Sequence, residues 1–229
     1  MHQRTSAKSI SNAYGLLSSA LAVYAPELNF KITLPKKKKE IRTMPKPEEI
    51  IRIVKGTEIE LPCLLAIWLG MRMSEIRGLR KSDIKNGCIT IQNSIVTVDG
   101  QQIEKEQTKT YDSTRVADLP GYIQKLIDNV EGEYLTELSG QAIYKRFIRV
   151  QQKNGIEPTI RFHDLRHMNA SVMLKLNIPD KYAMERGGWA TTSTLKPVYQ
   201  HTFGAERELV NQTVDDYFNK IVNDNSDNE

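Results

Sequence analysis

Three short segments of this sequence carry side chains suited to reaction at a phosphate. One contains His163 and Arg166, one contains Arg72, and one contains the tyrosine Tyr199. Arginine keeps its charge at any working pH and presents a fork of N–H donors, so two arginines can hold the non-bridging oxygens of a phosphodiester. A tyrosine hydroxyl can then attack the phosphorus if a nearby base takes its proton. This combination favours phosphodiester chemistry over metal or acyl chemistry.

The spacing of these residues predicts which elements position them. His163 and Arg166 are three residues apart, so both project from one face if their segment is a helix. Apolar residues recur at helical intervals from Leu165 to Leu176, which predicts that helix. Arg72 and Glu75 have the same offset, and the Glu75 carboxylate is expected to orient the guanidinium or a neighbouring group.

Five segments occur in one order and carry a resemblance to a known family. They are Gly70 to Ile76, Gln107 to Arg115, His163 to His167, Gly187 to Trp189 and Val198 to His201. Together they resemble the tyrosine recombinases of the phage integrase family, over most of the chain from about Ile41 onward. The chain departs from the family at Gly187-Gly188-Trp189, where the pattern leucine, glycine and histidine is common, and at Pro197 just before the tyrosine segment.

The resemblance implies a role for each matching side chain. Tyr199 is expected to attack the scissile phosphate and to become joined to a 3′ DNA end. Arg72 and Arg166 are expected to clamp the phosphate, and His163 to take or return the tyrosine proton. Lys109 is expected to protonate the leaving 5′ oxygen from a β-hairpin. Because the phosphotyrosine bond keeps the energy of the phosphodiester, the resemblance implies no ATP, metal or other cofactor.

The remaining site residues are expected to support these groups. Trp189 is expected to donate its indole N–H and to pack beside the phosphate, with Glu75, His167 and His201 in supporting positions. Each residue alone also has a structural interpretation, since Trp189 could be a core residue and Arg72 could form an ordinary surface pair with Glu75. Lys105 lies close enough to Lys109 to be confused with it. The ordered combination carries the prediction.

The periodicity predicts a mainly α (α+β) fold with one small antiparallel β-sheet between Cys88 and Leu119, and the resemblance identifies it as a tyrosine-recombinase catalytic domain. Asp99-Gly100 predicts a turn within the sheet. Helices are expected near residues 6–24, from 47, near 60–69, after Arg72, and near 122–130, 140–152, 163–176 and 179–186. Residues 1–32 are expected to be a remnant of a core-binding domain, 33–46 a basic linker, 47–222 the catalytic domain and 223–229 a disordered tail.

Composition restricts the partners. The net charge is +4 and the pI about 8.9, so DNA binding must depend on where the charge lies. Candidate DNA-binding residues are Lys36, Lys37, Lys38, Lys39, Arg77, Arg80 and Lys81, although a solvated linker explains the lysine run equally well.

Two cysteines are too few for a disulfide framework, and no signal peptide or membrane span is evident in the sequence. A cytoplasmic location in a bacterial or phage context, without a membrane partner, is therefore expected.

The resemblance implies a site-specific DNA recombinase or integrase that acts on double-stranded attachment sites. A homo-oligomer, a tetramer on DNA, is expected through an apolar helical stripe from Leu209 to Ile221, for which packing on its own domain is the alternative. An accessory directionality factor is compatible with this function. Two other functions remain open: a truncated integrase that binds DNA without recombining it, and nicking and rejoining of the type IB topoisomerase kind. The target sequence is not encoded in any motif.

Overall fold

The structure is a computed structural model that describes residues 6–28, 32–35, 44–106, 114–193 and 195. The chain divides into two compact units, Met1–Arg42 and Thr43–Glu229. The first unit contains helix α1 (Ala7–Tyr24), which begins after Ser6 because the Ser6 hydroxyl accepts the N–H of Ser9. No α-helix in the described part of the chain is long and apolar enough to cross a membrane.

The described part of the second unit contains seven α-helices and five β-strands. The helices are α2 (Pro47–Val54), α3 (Glu60–Leu69), α4 (Met73–Gly78), α5 (Gly121–Asp128), α6 (Gly140–Lys153), α7 (Phe162–Lys175) and α8 (Asp180–Gly187). The strands are β1 (Ile84–Lys85), β2 (Cys88–Ile91), β3 (Asn93–Val98), β4 (Gln101–Glu106) and β5 (Arg115–Asp118). Helix α2 begins as its sequence predicts, with a proline at its first position and Glu48 and Glu49 in its first turn.

All strand pairs are antiparallel. Strands β1, β2 and β5 form one sheet in that order, while β3 and β4 pair as a separate hairpin with Val98 opposite Gln101. The turn of the hairpin contains Asp99 and Gly100, both at positive φ, as the Asp-Gly pair predicts. The predicted fold class is confirmed, and the structure adds that the strands divide between two sheets.

Helix α3 is the centre of the hydrophobic core. All of its residues except Trp68 are buried, because their side chains are apolar almost without interruption. It packs against α7 and also contacts α2, α4 and α5. Asn169 of α7 donates from its amide to the carbonyls of Ile67 and Trp68, at 3.1 and 2.9 Å, so α7 is joined to the end of α3. This junction brings the two arginine-bearing segments together.

Candidate active site

Arg72 is positioned by the sharp turn between α3 and α4. Gly70 ends α3 in the left-handed conformation (φ +66°), and a Cβ there would lie 2.8 Å from the side-chain oxygen of Asn169, so the position suits glycine. Arg72 is extended and precedes α4, and its N–H donates to Glu75 Oε2 at 2.9 Å. The Arg72 guanidinium donates to Glu75 Oε1 at 2.6 Å while its side chain remains 44% exposed. The cation is therefore held at one end and accessible at the other.

Glu75 is a fully buried carboxylate that joins two arginines. Arg115 of β5 also donates to both of its oxygens, at 3.2 and 2.8 Å. Burial alone raises the pKa of Glu75, but the hydrogen bonds and positive charges of Arg115 and Arg72 outweigh it and lower the pKa to about 2. Glu75 is consequently ionised at neutral pH, and the cluster of three residues carries a net positive charge.

Arg166 of α7 is buried, with 2% of its surface exposed. Its Nη1 donates to the carbonyls of Gly70 and Gly187, and its Nη2 donates to the Gly188 carbonyl at 3.2 Å. Burial, and then the charge of nearby Arg72, lowers the pKa of Arg166 to about 9, so the guanidinium stays charged at neutral pH.

Gly188 O is the point at which the two predicted clamp residues meet. Arg72 Nη2 donates to this oxygen at 3.0 Å, and Arg166 Nη2 donates to it at 3.2 Å. A guanidinium has five N–H donors, so each arginine retains donors for a ligand. Two cations from different segments, the turn before α4 and helix α7, thus converge on one oxygen acceptor, which is the arrangement that binding of a phosphate oxygen requires.

Trp189 covers the guanidinium of Arg166. Its ring centroid lies 4.2 Å from the Arg166 guanidinium carbon, and the residue is buried. A Cβ at Gly187 would lie 1.8 Å from Trp189 Cζ3. The glycine that departs from the family pattern therefore leaves the space into which the indole folds.

His163 lies in the first turn of α7, and its side chain is exposed. The ring packs edge-on against His167, one helical turn later, with ring centroids 4.7 Å apart. Partial desolvation, and then the charge of Arg166, lowers the pKa of His163 below its ordinary value of 6.5. A neutral imidazole at pH 7 can accept a proton, as a base for a tyrosine must.

Several of the predicted residues lie in segments that the structure does not describe. Lys109, Tyr199, His201 and the lysines Lys36, Lys37, Lys38 and Lys39 lie outside the described residues. The three other basic candidates are described, and each makes contacts within the protein.

Arg77 is buried and donates to the carbonyl of Ile95 at 3.3 Å, so its guanidinium is not presented to a ligand. Arg80 Nη2 lies 2.7 and 2.8 Å from the two oxygens of Glu104. Lys81 Nζ donates to the carbonyl of Val130. These three residues mainly join α4 and the following turn to neighbouring segments. Arg77 and Arg80 are therefore not proposed to bind DNA.

Arg115 belongs to the site but was not among the predicted site residues. The sequence does show an arginine at the start of a predicted strand, inside one of the matching segments. Its contact with Glu75 joins residues 40 positions apart. Helix and strand periodicities relate only residues a few positions apart, so they cannot predict this contact. Within the described residues, no group of three or more histidine, cysteine or acidic side chains is arranged to hold a metal ion.

Comparison with known proteins identifies a family profile and individual relatives that match this chain. Residues 38–206 match the profile of the phage integrase family. A XerC-like tyrosine recombinase of Caldanaerobacter subterraneus is 26% identical over 209 residues, which cover 75% of this chain and 53% of that protein. The chain thus spans about half the length of that relative.

Two solved structures show the same fold. The Tn1549 transposon integrase, in complex with a circular intermediate DNA, has a TM-score of 0.71 at 17% identity over 92% of this chain and 80% of that one. A lambda integrase dimer bound to a core site has a TM-score of 0.56 at 19% identity, over 86% and 80%. At these identities the likeness establishes the architecture, and the chemistry must be argued from this chain's own residues.

Proposed function

Because the chain belongs to the phage integrase family, we propose that it is the catalytic part of a site-specific DNA recombinase. It cleaves and rejoins double-stranded DNA through a 3′-phosphotyrosine intermediate. The observation that supports this most strongly is the convergence of Arg72 and Arg166 on the Gly188 carbonyl oxygen, with His163 three residues before Arg166. These groups match the needs of attack on a phosphodiester.

The arginines supply electrostatic stabilisation. As a tyrosine oxygen adds to phosphorus, negative charge builds on the non-bridging oxygens, and fixed N–H donors aimed at them stabilise the transition state. Arg166 is immobilised by three backbone carbonyls and Arg72 by Glu75, so little reorganisation is needed when the phosphate arrives. Removal of one such donor typically slows a reaction about 100- to 1,000-fold.

The bond changes balance without a cofactor. The Tyr199 oxygen bonds to phosphorus, His163 takes the phenol proton, and the bond from phosphorus to the 5′ oxygen breaks. Lys109 gives the leaving oxygen its proton, which yields a 5′ hydroxyl and a 3′-phosphotyrosine link. A 5′ hydroxyl of another strand then reverses the steps, so one phosphodiester replaces another. The assignments of Lys109 and Tyr199 come from the resemblance.

Chain length allows Tyr199 to serve the arginines of its own chain. Leu195 is fully buried in a cluster with Trp189, whose ring covers Arg166. Tyr199 is four residues further on, and four residues of extended chain span at most about 14 Å. This chain length supports the proposal that Tyr199 acts with the arginines of its own chain.

An apolar groove supports assembly of several copies on DNA. It has a volume of about 780 Å³ and is lined by side chains of α2, α3, β5, α7 and α8, among them the exposed Trp68, Val116, Leu176 and Tyr182. We propose that the apolar stripe predicted from Leu209 to Ile221 of a neighbouring copy docks there. A tetramer on paired attachment sites is the assembly that this exchange favours. A directionality factor and a cytoplasmic location, in a bacterium or a phage-infected cell, stay predictions.

Covalent trapping tests the proposed chemistry. The wild type and Tyr199→Phe are incubated with nicked suicide duplexes that carry the DNA bordering the element, and products are separated on a denaturing gel. We expect a protein–DNA adduct with the wild type and none with Tyr199→Phe. The matched control is Tyr122→Phe, which removes a hydroxyl that donates to Glu60 and should keep the adduct.

Other outcomes select the alternative functions. Tight binding of the same duplex by the wild type without any adduct would contradict catalysis and favour a protein that only occupies its site. Relaxation of supercoiled DNA without recombinant product would favour the topoisomerase-like reaction. A recombinant product that needs Tyr199 supports the proposal in full.

A further inference from the structure

Arg115 is a nearly buried cation that the proposed reaction leaves without a role. It begins β5, and its side chain is 8% exposed. Its two terminal nitrogens donate to the two oxygens of Glu75, at 3.2 and 2.8 Å. The Arg115 Nε–H is buried with no hydrogen-bond acceptor among the described residues. The forked end that faces Glu75 is thus where this side chain makes its polar contacts.

Glu75 transmits this contact to Arg72. Arg72 is 44% exposed, so packing alone does not fix its guanidinium, and its Nη1 is held by Glu75 Oε1 at 2.6 Å. Glu75 itself is fully buried and is also held by the Arg115 fork. A carboxylate bonded at both oxygens by a planar fork cannot rotate freely. The order of contacts is therefore Arg115 to Glu75 to Arg72.

Arg115 is also connected to Arg72 through a second residue, Gly188. A Cβ at Gly188 would lie 2.7 Å from Arg115 Nη1 and 3.0 Å from its guanidinium carbon, so Arg115 lies directly against this glycine. The Gly188 carbonyl accepts hydrogen bonds from Arg72 and Arg166. Arg115 therefore supports both the carboxylate that holds Arg72 and the peptide on which Arg72 and Arg166 converge.

We propose that Arg115 is a positioning residue that holds the Arg72 guanidinium in its phosphate-binding position, through Glu75 on one side and Gly188 on the other. The inference rests on the proposed function for the identity of the ligand. Arg115 is assigned no direct contact with the phosphate, because its side chain is only 8% exposed whereas that of Arg72 is 44% exposed. A misplacement of about 1 Å at a catalytic group can slow a reaction about 100-fold, so support of this kind matters to the rate.

Two variants separate positioning from simple stabilisation. Arg115→Gln removes the charge and the fork, whereas Arg115→Lys keeps the charge but offers a single ammonium in place of the fork. The Lys variant should retain most of the thermal stability, because Glu75 still has a cation beside it. If Arg115 only stabilised the fold, Lys would restore the cleavage rate as well. The matched control is Arg80→Lys, which alters another arginine bonded to both oxygens of a carboxylate.

The first readout does not depend on activity. The Nε–Hε signal of the Arg72 side chain is followed by ¹⁵N NMR in the DNA-free protein and is assigned by its loss in Arg72→Lys. We expect a change in position and increased side-chain mobility in both Arg115 variants, and no change in Arg80→Lys. An Arg72 signal unaltered in Arg115→Lys and in Arg115→Gln would overturn the inference.

The second readout is single-turnover cleavage of the suicide duplex at saturating DNA. We expect the rate to fall about 10-fold in Arg115→Lys and about 100-fold in Arg115→Gln, with the Kd for DNA within about twofold of the wild type. Full wild-type rates in Arg115→Gln would overturn the inference. If the wild type itself binds DNA and forms no adduct, the proposed function fails, and the Arg72 signal still decides whether Arg115 positions Arg72.

Discussion

Arg72 and Arg80 lie at the two ends of the α4 region, and each is bonded to a carboxylate, but the two pairs differ in which partner is buried. At Arg72 the carboxylate of Glu75 is fully buried while the arginine is 44% exposed. At Arg80 the arginine is 30% exposed and the partners Glu104 and Glu133 are 34% and 64% exposed. The buried carboxylate of Glu75 fixes a guanidinium that still faces solvent. The groups around Arg80 mainly bond to one another at the surface.

The contact geometry shows the same contrast. Arg80 also donates to the Tyr134 hydroxyl at 3.1 Å and lies 5.2 Å from the centroid of its ring, so hairpin and loop groups surround it. Surface ion pairs of this kind contribute little to stability because solvent screens them. The same residue type thus serves a site at one end of the helix and joins neighbouring segments at the other.

The largest expected effect is that of Arg166→Lys. A lysine has three N–H donors on one nitrogen, so if it bonds to the carbonyls that Arg166 holds, it has no donor left for the phosphate, and the forked geometry is lost. We expect cleavage to slow by at least about 100-fold, measured as single-turnover adduct formation. Arg80→Lys should change the rate less than about threefold. Equal losses in the two variants would remove the distinction between the two arginine pairs.

The next effect is on the pH dependence of stability. The folded-state pKa of Glu75 is lowered from 4.5 to about 2, so its contribution is complete above the unfolded-state value and is lost as pH falls from about 4.5 toward 2. This shift corresponds to at most about 3 kcal/mol. Urea unfolding of the wild type at pH 7 and pH 3 should show the decrease, and Glu75→Gln should flatten it.

The control for this pH dependence is Glu58→Gln. Glu58 is 70% exposed and pairs with Arg146 at the surface, where solvent screens the interaction. The slope of stability against pH should therefore stay close to that of the wild type. If Glu75→Gln retains the wild-type slope, the buried carboxylate is not the source of the acid sensitivity.

The smallest expected effect is that of alanine substitution at two glycines with positive φ, Gly155 and Gly188. Gly155 (φ +71°) has no atom within 4 Å of a built Cβ, so Gly155→Ala should cost only the backbone strain, about 1 kcal/mol. Gly188 (φ +65°) has similar strain, but its Cβ would press on Arg115. We expect Gly188→Ala to lower the melting temperature further and to slow cleavage about tenfold. The same rate in both alanine variants would argue against a role for the Arg115 contact.

Local patterns were sufficient to predict most elements. The helices near 60–69, 140–152 and 163–176 were predicted to within about a residue at each end, because apolar spacing, capping residues and prolines act within a few positions. The facing pair His163 and Arg166 follows from the same periodicity. The family was also predicted from the order of its motifs, and the match over residues 38–206 confirms it.

Contacts between distant segments were not predictable in this way. The sequence offers Arg77, Arg80 and Lys81 as candidate DNA-binding residues, but Arg77 is buried against β3, and Arg80 and the still exposed Lys81 are bonded to the loop at Tyr134 and Val130. Solvent exposure depends on which segment covers a side chain, and charge patterning carries no information about that.

The sequence by itself determined the residue types, their order and the helix face that carries His163 and Arg166. Only the tertiary structure decided that Arg166 is buried beneath Trp189 and that Glu75 is shared between Arg72 and Arg115. The physical reason is distance along the chain. Helical periodicity relates residues three or four apart, whereas these contacts join α4, β5 and α7, and the packing of the whole domain decides which side chains meet.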